Sequence, residues 1–222
     1  MRQLYHYWFC PYSRKTRIAM LEKSLEFELK LELPWKRRHE FLILNPAGTV
    51  PVLIEEDGMT ISGNNPLMEY LQETYPKQDF LGSDPQERAE VRRLVEWFDI
   101  KFNREVTDLI ITEKVKKRYL KQGTTEASVI RFAGQNIKHH LQYIEYLADR
   151  RNWLAGNDFS YADISAAAHL SCVDFFGGVP WDDFKTARDW YARIKSRPSM
   201  QVILKDNIAG LSPASHYKDL DF

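Results

Sequence analysis

The sequence predicts two parts: a small mixed β-sheet covered by helices, followed by an all-helical unit. Three observations predict this. Short apolar segments separated by turn signals fill the first third of the chain. A polar stretch at 76–85, holding Pro76, Gly82 and Pro85, then gives way to helical spacing that persists almost to the end. Between strand-like segments lies Asn45-Pro46-Ala47-Gly48-Thr49-Val50-Pro51-Val52-Leu53, where a proline enters an apolar strand. Proline donates no ladder hydrogen bond, so it belongs at a strand's first residue or edge. An X-Pro bond at such a turn is a candidate cis peptide. That turn would leave the N–H and C=O of Val50 available to an extended, peptide-like ligand.

The elements follow in order. Residues 3–8 form a first strand, and Pro11 and Ser13 open a helix to about Lys23, with Ile18 and Leu21 inward. Phe27, Leu29, Leu31 and Leu33 alternate with charged residues, the period of a strand, which Pro34 ends. A short helix covers 37–44. Val52-Leu53-Ile54 is the third strand, Glu56-Asp57-Gly58 a hairpin turn, and 59–62 the fourth strand. Asn65 as N-cap, with Pro66 in the first turn, starts a helix to about Thr74. The order βαβα–ββα suits a small mixed sheet. Beyond it, Val91, Leu94, Val95, Phe98, Phe102, Val106 and Leu109 mark one long helical segment. Ile130, Ile137, Leu141, Ile144 and Ala148 mark a second. Ser160 and Asp163 form a capping box for a small apolar helix expected at the centre of this unit. Helices near 184–196 and 199–205 follow. The expected domains are 1–76, a linker at 77–84, 85–206, and a tail at 207–222.

Composition narrows the function. The chain has 222 residues, 44% of them hydrophobic, with 31 Lys+Arg balanced by 31 Asp+Glu. Zero net charge argues against nonspecific binding to nucleic acid or anionic membrane. No apolar run approaches the ~20 residues of a membrane span, and the strand-like N-terminus lacks a signal-peptide core. Only Cys10 and Cys172 are present, which implies a reducing compartment, the cytoplasm. No Cys/His cluster has metal-site spacing, so no metal is expected.

Several motifs together resemble the glutathione transferase superfamily. They are Cys10-Pro11-Tyr12-Ser13 after strand one, the Asn45–Leu53 stretch with Pro51, Glu69-Tyr70-Leu71, and the Ser160–Asp163 cap. The resemblance covers the chain from end to end. It implies a thioredoxin-like N-terminal domain with a four-stranded mixed sheet, an all-helical C-terminal domain, and a homodimer. Pro34-Trp35-Lys36-Arg37-Arg38, the run Arg92–Asp99, Arg150–Gly156, Val179-Pro180-Trp181 and the ending His216–Phe222 resemble, more narrowly, an alphaproteobacterial subgroup. That likeness implies binding to FtsZ filaments and regulation of cell division, at the division site.

In enzymes of the superfamily a Tyr, Ser or Cys near the start of the first helix serves the thiol chemistry. Cys10, placed two residues ahead of that helix, is the candidate nucleophile, since a helix N-terminus lowers a thiol's pKa. Its alternative is a small residue filling a strand–helix turn. Ser13 is a candidate hydrogen-bond partner for a bound thiolate, or a plain capping serine. Val50 and Pro51 would hold the ligand's backbone. Active members carry an acid and a serine just before the third helix, gripping the γ-glutamyl end of glutathione. Counting back from Tyr70-Leu71, those positions are Gly63 and Asn64. Gly63 offers no carboxylate, so weak or absent glutathione binding and no cofactor are expected. A glutathione transferase or thiol transferase using Cys10 or Ser13 remains the alternative.

Three segments are candidate partner surfaces. Trp35, with Lys36, Arg37 and Arg38, is a contact anchor or a half-buried packing residue. Lys116, Lys117 and Arg118 lie in a basic run ending a helix, where cations also complement the helix dipole. Asp219, Leu220, Asp221 and Phe222 interleave acids with apolar residues, suiting a tail that folds back or binds a partner. Ser160 and Asp163 are structural.

Overall fold

The computed structural model describes residues 1–220 and divides into two compact units, Met1–Asp79 and a second beginning at Phe80. The first contains β1 (Arg2–His6), α1 (Pro11–Glu22), β2 (Phe27–Leu31), a 3-10 turn at Pro34–Lys36, α2 (His39–Leu44), β3 (Val52–Ile54), β4 (Thr60–Ser62) and α3 (Asn64–Thr74). The four strands are ordered β2-β1-β3-β4, with β1 parallel to β2 and the other pairs antiparallel. Leu4 pairs with Leu29 on one side and Leu53 on the other. Leu4, Val52 and Leu53 are fully buried, as are Ile18 and Ala19 of α1 and Leu67 and Leu71 of α3. Burying such a side chain contributes roughly 1.5–3 kcal/mol, so these positions carry the first core.

Three boundaries differ from the sequence expectation. The first strand stops at His6, because the Cys10 N–H turns back to the Tyr7 carbonyl (3.0 Å). The helix expected over 37–44 is broken by Arg37, whose φ of +45° separates the 3-10 turn from α2. The third helix is capped by Gly63, not Asn65: the Leu67 N–H reaches the Gly63 carbonyl (3.2 Å). Pro66 is tolerated because it sits in the first turn, where an N–H has no intrahelical partner.

The second unit opens with α4 (Pro85–Glu96), capped by Asp84, whose Oδ1 accepts from the N–H groups of Gln86 and Glu87. The helix then runs on without a break. Wide π-type turns occupy Trp97–Thr107 and Thr112–Lys116, with α5 (Asp108–Ile111) between them and α6 (Lys117–Leu120) at the end. Then come α7 (Ala127–Ala148), α8 (Tyr161–Asp174), a 3-10 turn at Trp181–Asp183, α9 (Lys185–Lys195), α10 (Pro198–Leu204) and a 3-10 turn at Ser215–Lys218. Every residue of α8 is buried, which makes it the centre of this unit. No helix among the described residues is long and apolar enough to cross a membrane.

Candidate functional site

Val50-Pro51 is the one cis peptide among the described residues. The Asn45 side chain braces the loop before it, donating from Nδ2 to the Thr49 carbonyl (2.8 Å) and accepting the Ala47 N–H (3.2 Å). This places Val50 beside the start of α1. Cys10 is the N-cap of α1, directly before Pro11, and not two residues ahead of it as expected from sequence. Proline's fixed φ suits the first helical position, so the helix begins at once. The Cys10 thiol is half-buried and donates to the Val50 carbonyl over 3.6 Å. That carbonyl is thus engaged, contrary to the expectation that both polar groups of Val50 would be available. The Val50 N–H makes no hydrogen bond to another described residue and remains a donor for an extended ligand.

Ser13 is fully buried, and its Oγ accepts the Tyr7 N–H at 3.3 Å. The hydroxyl thus secures the turn from β1 into α1. Gly63 has φ +94° and ψ +142°, and Asn64 donates to the Asn65 side chain at 3.1 Å. Position 63 carries no side chain and so supplies no anion beside the start of α3.

Trp35 is half-buried, with its ring edge-on to Tyr7 at 5.1 Å. Lys36, Arg37 and Arg38 are exposed. Arg38 is tied to Glu32, a carboxylate with 1% side-chain exposure, and the guanidinium's pKa is raised chiefly by that hydrogen bond. Lys36 and Arg37 make no ion pair among the described residues.

The remaining sites lie in the helical unit. Lys116 pairs with Asp108 at 2.6 Å, Lys117 with Glu113 at 2.9 Å and Glu126 at 2.8 Å, and Arg118 donates to the Gly210 carbonyl at 3.0 Å. The basic run ends at Lys121, in the left-handed region. Ser160 and Asp163 form the capping box of α8. Buried Asp163 also accepts from the Leu154 N–H (3.0 Å) and Trp190 Nε1 (2.9 Å). The tail folds back as far as Tyr217, which is buried against Phe175. Asp219 is exposed and Leu220 half-exposed, while Asp221 and Phe222 lie outside the described residues. No group of His, Cys, Asp and Glu suited to a metal occurs among the described residues.

Sequence reasoning missed a second cluster, formed by Asp174, Trp181, Lys195 and His216. Nothing in their spacing signals it, since three separate elements and the tail bring them together.

A β-α-β sheet with a cis-proline loop facing the first helix, followed by a helical unit, defines a glutathione-transferase-fold protein. Family profiles agree: the glutathione S-transferase N-terminal domain matches residues 9–74 and the C-terminal domain residues 107–198. The chain belongs to the glutathione S-transferase family. It is 45% identical to FtsZ-localized protein A of Caulobacter vibrioides, over 100% of this chain and 98% of that one. The structure of FzlA from C. crescentus superposes with a TM-score of 0.97 at 45% identity, covering 100% of this chain and 99% of the other. A glutathione S-transferase from Rhodospirillum rubrum superposes at 0.98 with 50% identity over all of both chains.

Proposed function

We propose that this protein binds FtsZ filaments and regulates cell division, acting in the cytoplasm at the division site without glutathione-dependent catalysis. The observation that carries this reading is the end-to-end identity of 45% to a protein named for its localisation with FtsZ. Gly63 supports it. Losing the charge-assisted hydrogen bond to a ligand's ammonium costs roughly 1.5–3 kcal/mol, about tenfold to a hundredfold in affinity. Calorimetric titration is expected to find weak glutathione binding or none; a low-micromolar dissociation constant would contradict the loss.

The edge carrying Trp35, Lys36 and Arg37 is the favoured contact surface, since an amphipathic aromatic beside unpaired cations suits an interface. Lys116, Lys117 and Arg118 are weaker candidates, because each is engaged within its own unit. Of the tail candidates, Asp219 and Leu220 are the described residues with exposed surface. As a homodimer the protein presents each surface twice, and bivalent attachment to a polymer gains from effective concentration without new contacts. Cosedimentation with polymerised FtsZ is expected to bring the protein into the pellet, and Trp35→Ala to return much of it to the supernatant. Wild-type protein found only in the supernatant would remove the proposal.

One observation favours a second reading, thiol transfer. Cys10 caps a helix N-terminus and is half-exposed, the placement an accessible nucleophilic thiol needs. Cys10→Ala with unchanged turnover on glutathione mixed disulfides would rule it out.

A further inference from the structure

We infer that the C-terminal tail is held on the helical unit by a proton-sensitive clasp, His216 on the buried carboxylate of Asp174. The tail docks through three contacts that involve no carboxylate. The Ala214 N–H donates to the Phe175 carbonyl (2.9 Å), the Tyr217 ring meets Phe175 edge-on at 5.2 Å, and Lys195 Nζ donates to the His216 carbonyl (3.1 Å). The fourth contact is different in kind. His216 Nε2 lies 2.8 Å from Asp174 Oδ1, which also accepts from Trp181 Nε1 at 2.7 Å. Asp174 ends α8 with 0% exposure, and its Oδ2 has no hydrogen bond among the described residues. A buried carboxylate is costly unless a cation compensates it. Trp181 brings only a neutral N–H, so the charge must come from His216 or Lys195.

His216 has 32% side-chain exposure and lines an open cavity of about 450 Å³ with Trp181, Asp182, Asp183, Arg188 and Asp219. Protons therefore reach the ring without unfolding. The charged groups around it are Asp174 from α8, Asp182 and Asp183 from the 3-10 turn, Arg188 and Lys195 from α9, and Asp219 from the tail itself. Carboxylates outnumber the other cations, so protonation of His216 is favoured. Its pKa is raised above 6.5, first by the hydrogen bond to Asp174, against burial and Lys195. The sign follows by linkage. The added grip is full below the free-histidine pKa and fades as pH rises through the docked-state value. Neutral His216 can still donate one hydrogen bond, so the clasp loosens and does not vanish. Burial lowers Lys195 to about 8, so it titrates mainly above this window.

The test needs only the intact protein and does not depend on its partner. Amide hydrogen exchange, corrected for intrinsic pH dependence, is compared at about pH 6 and about pH 7.5 for wild type and His216→Gln. Protection of the Ala214 and Tyr217 amides is expected to fall about threefold or more in wild type as pH rises, and to stay flat in the variant. Flat wild-type protection, or an equal fall in both proteins, overturns the clasp. If the variant fails to fold, an NMR titration of the wild-type His216 ring decides: a midpoint above 6.5 is expected, and one at or below 6.5 overturns the inference.

Discussion

Gly63 combines φ +94° with ψ +142°, a region that side-chain-bearing residues enter only under strain. A Cβ built there comes no closer than 3.4 Å to Pro66, so space is available and the backbone conformation is the cost. Gly63→Glu, which restores a carboxylate, is therefore expected to lose about 1–3 kcal/mol of stability, read as a lower urea midpoint. An unchanged midpoint would mean the turn relaxes around the new side chain. The missing acid was legible from the count back from Tyr70-Leu71. The positive φ was not, because a glycine's presence does not state its conformation. Nor was the role of Ser13: its bond to the Tyr7 N–H depends on how the turn between them folds.

Among the elements, the helical run from Pro85 to Leu120 differs most from expectation. Its buried residues Leu94, Phe98, Phe102, Val106 and Ile110 advance in steps of four. In an ordinary α-helix that stripe would drift by about 40° per step. The wide turns at Trp97–Thr107 keep it on one face, and Ile110 continues it where Leu109 was expected. The departure was therefore present in the sequence spacing, though an ordinary helical template hides it. The strand Val52–Ile54 was legible because a proline loop and a hairpin turn bracket a short apolar run. The cap of α8 was also legible, but not its reach: Asp163 receives Trp190 from α9 and the Leu154 N–H as well as Ser160. Asp163→Ala removes the cap and orphans two buried donors, so a loss of about 2–5 kcal/mol is expected. Chemical denaturation checks this, and a loss below about 1 kcal/mol would show the box to be dispensable.

At the scale of the whole molecule, each unit contains a histidine held neutral by burial. Burial, followed by the charges of Arg17 and Arg14, lowers His6 to about 3. Burial lowers His140 to about 4, against its hydrogen bond to Glu105. Their folded pKa values lie below the unfolded one, so the unfolded chain binds more protons and stability falls as pH drops below about 6.5. Each histidine is expected to cost roughly 1–2 kcal/mol between about pH 7 and pH 5, seen as falling urea midpoints. A flat profile would contradict this. Glu90 adds a later acid limb. It is lowered to about 2, chiefly by its hydrogen bond from Arg93, so its contribution fades only as pH falls from 4.5 toward that value. The pairing of the basic residues also governs how mutagenesis must be read. Arg38 neutralises Glu32, and Lys116, Lys117 and Arg118 are committed at home, so alanine at these positions strands an acid or frees a loop. A scan that scores only lost association would then mistake damaged scaffolding for a recognition hotspot. Lys36 and Arg37 are exposed and make no ion pair among the described residues, so replacing either leaves no such orphan behind and gives the interpretable readout.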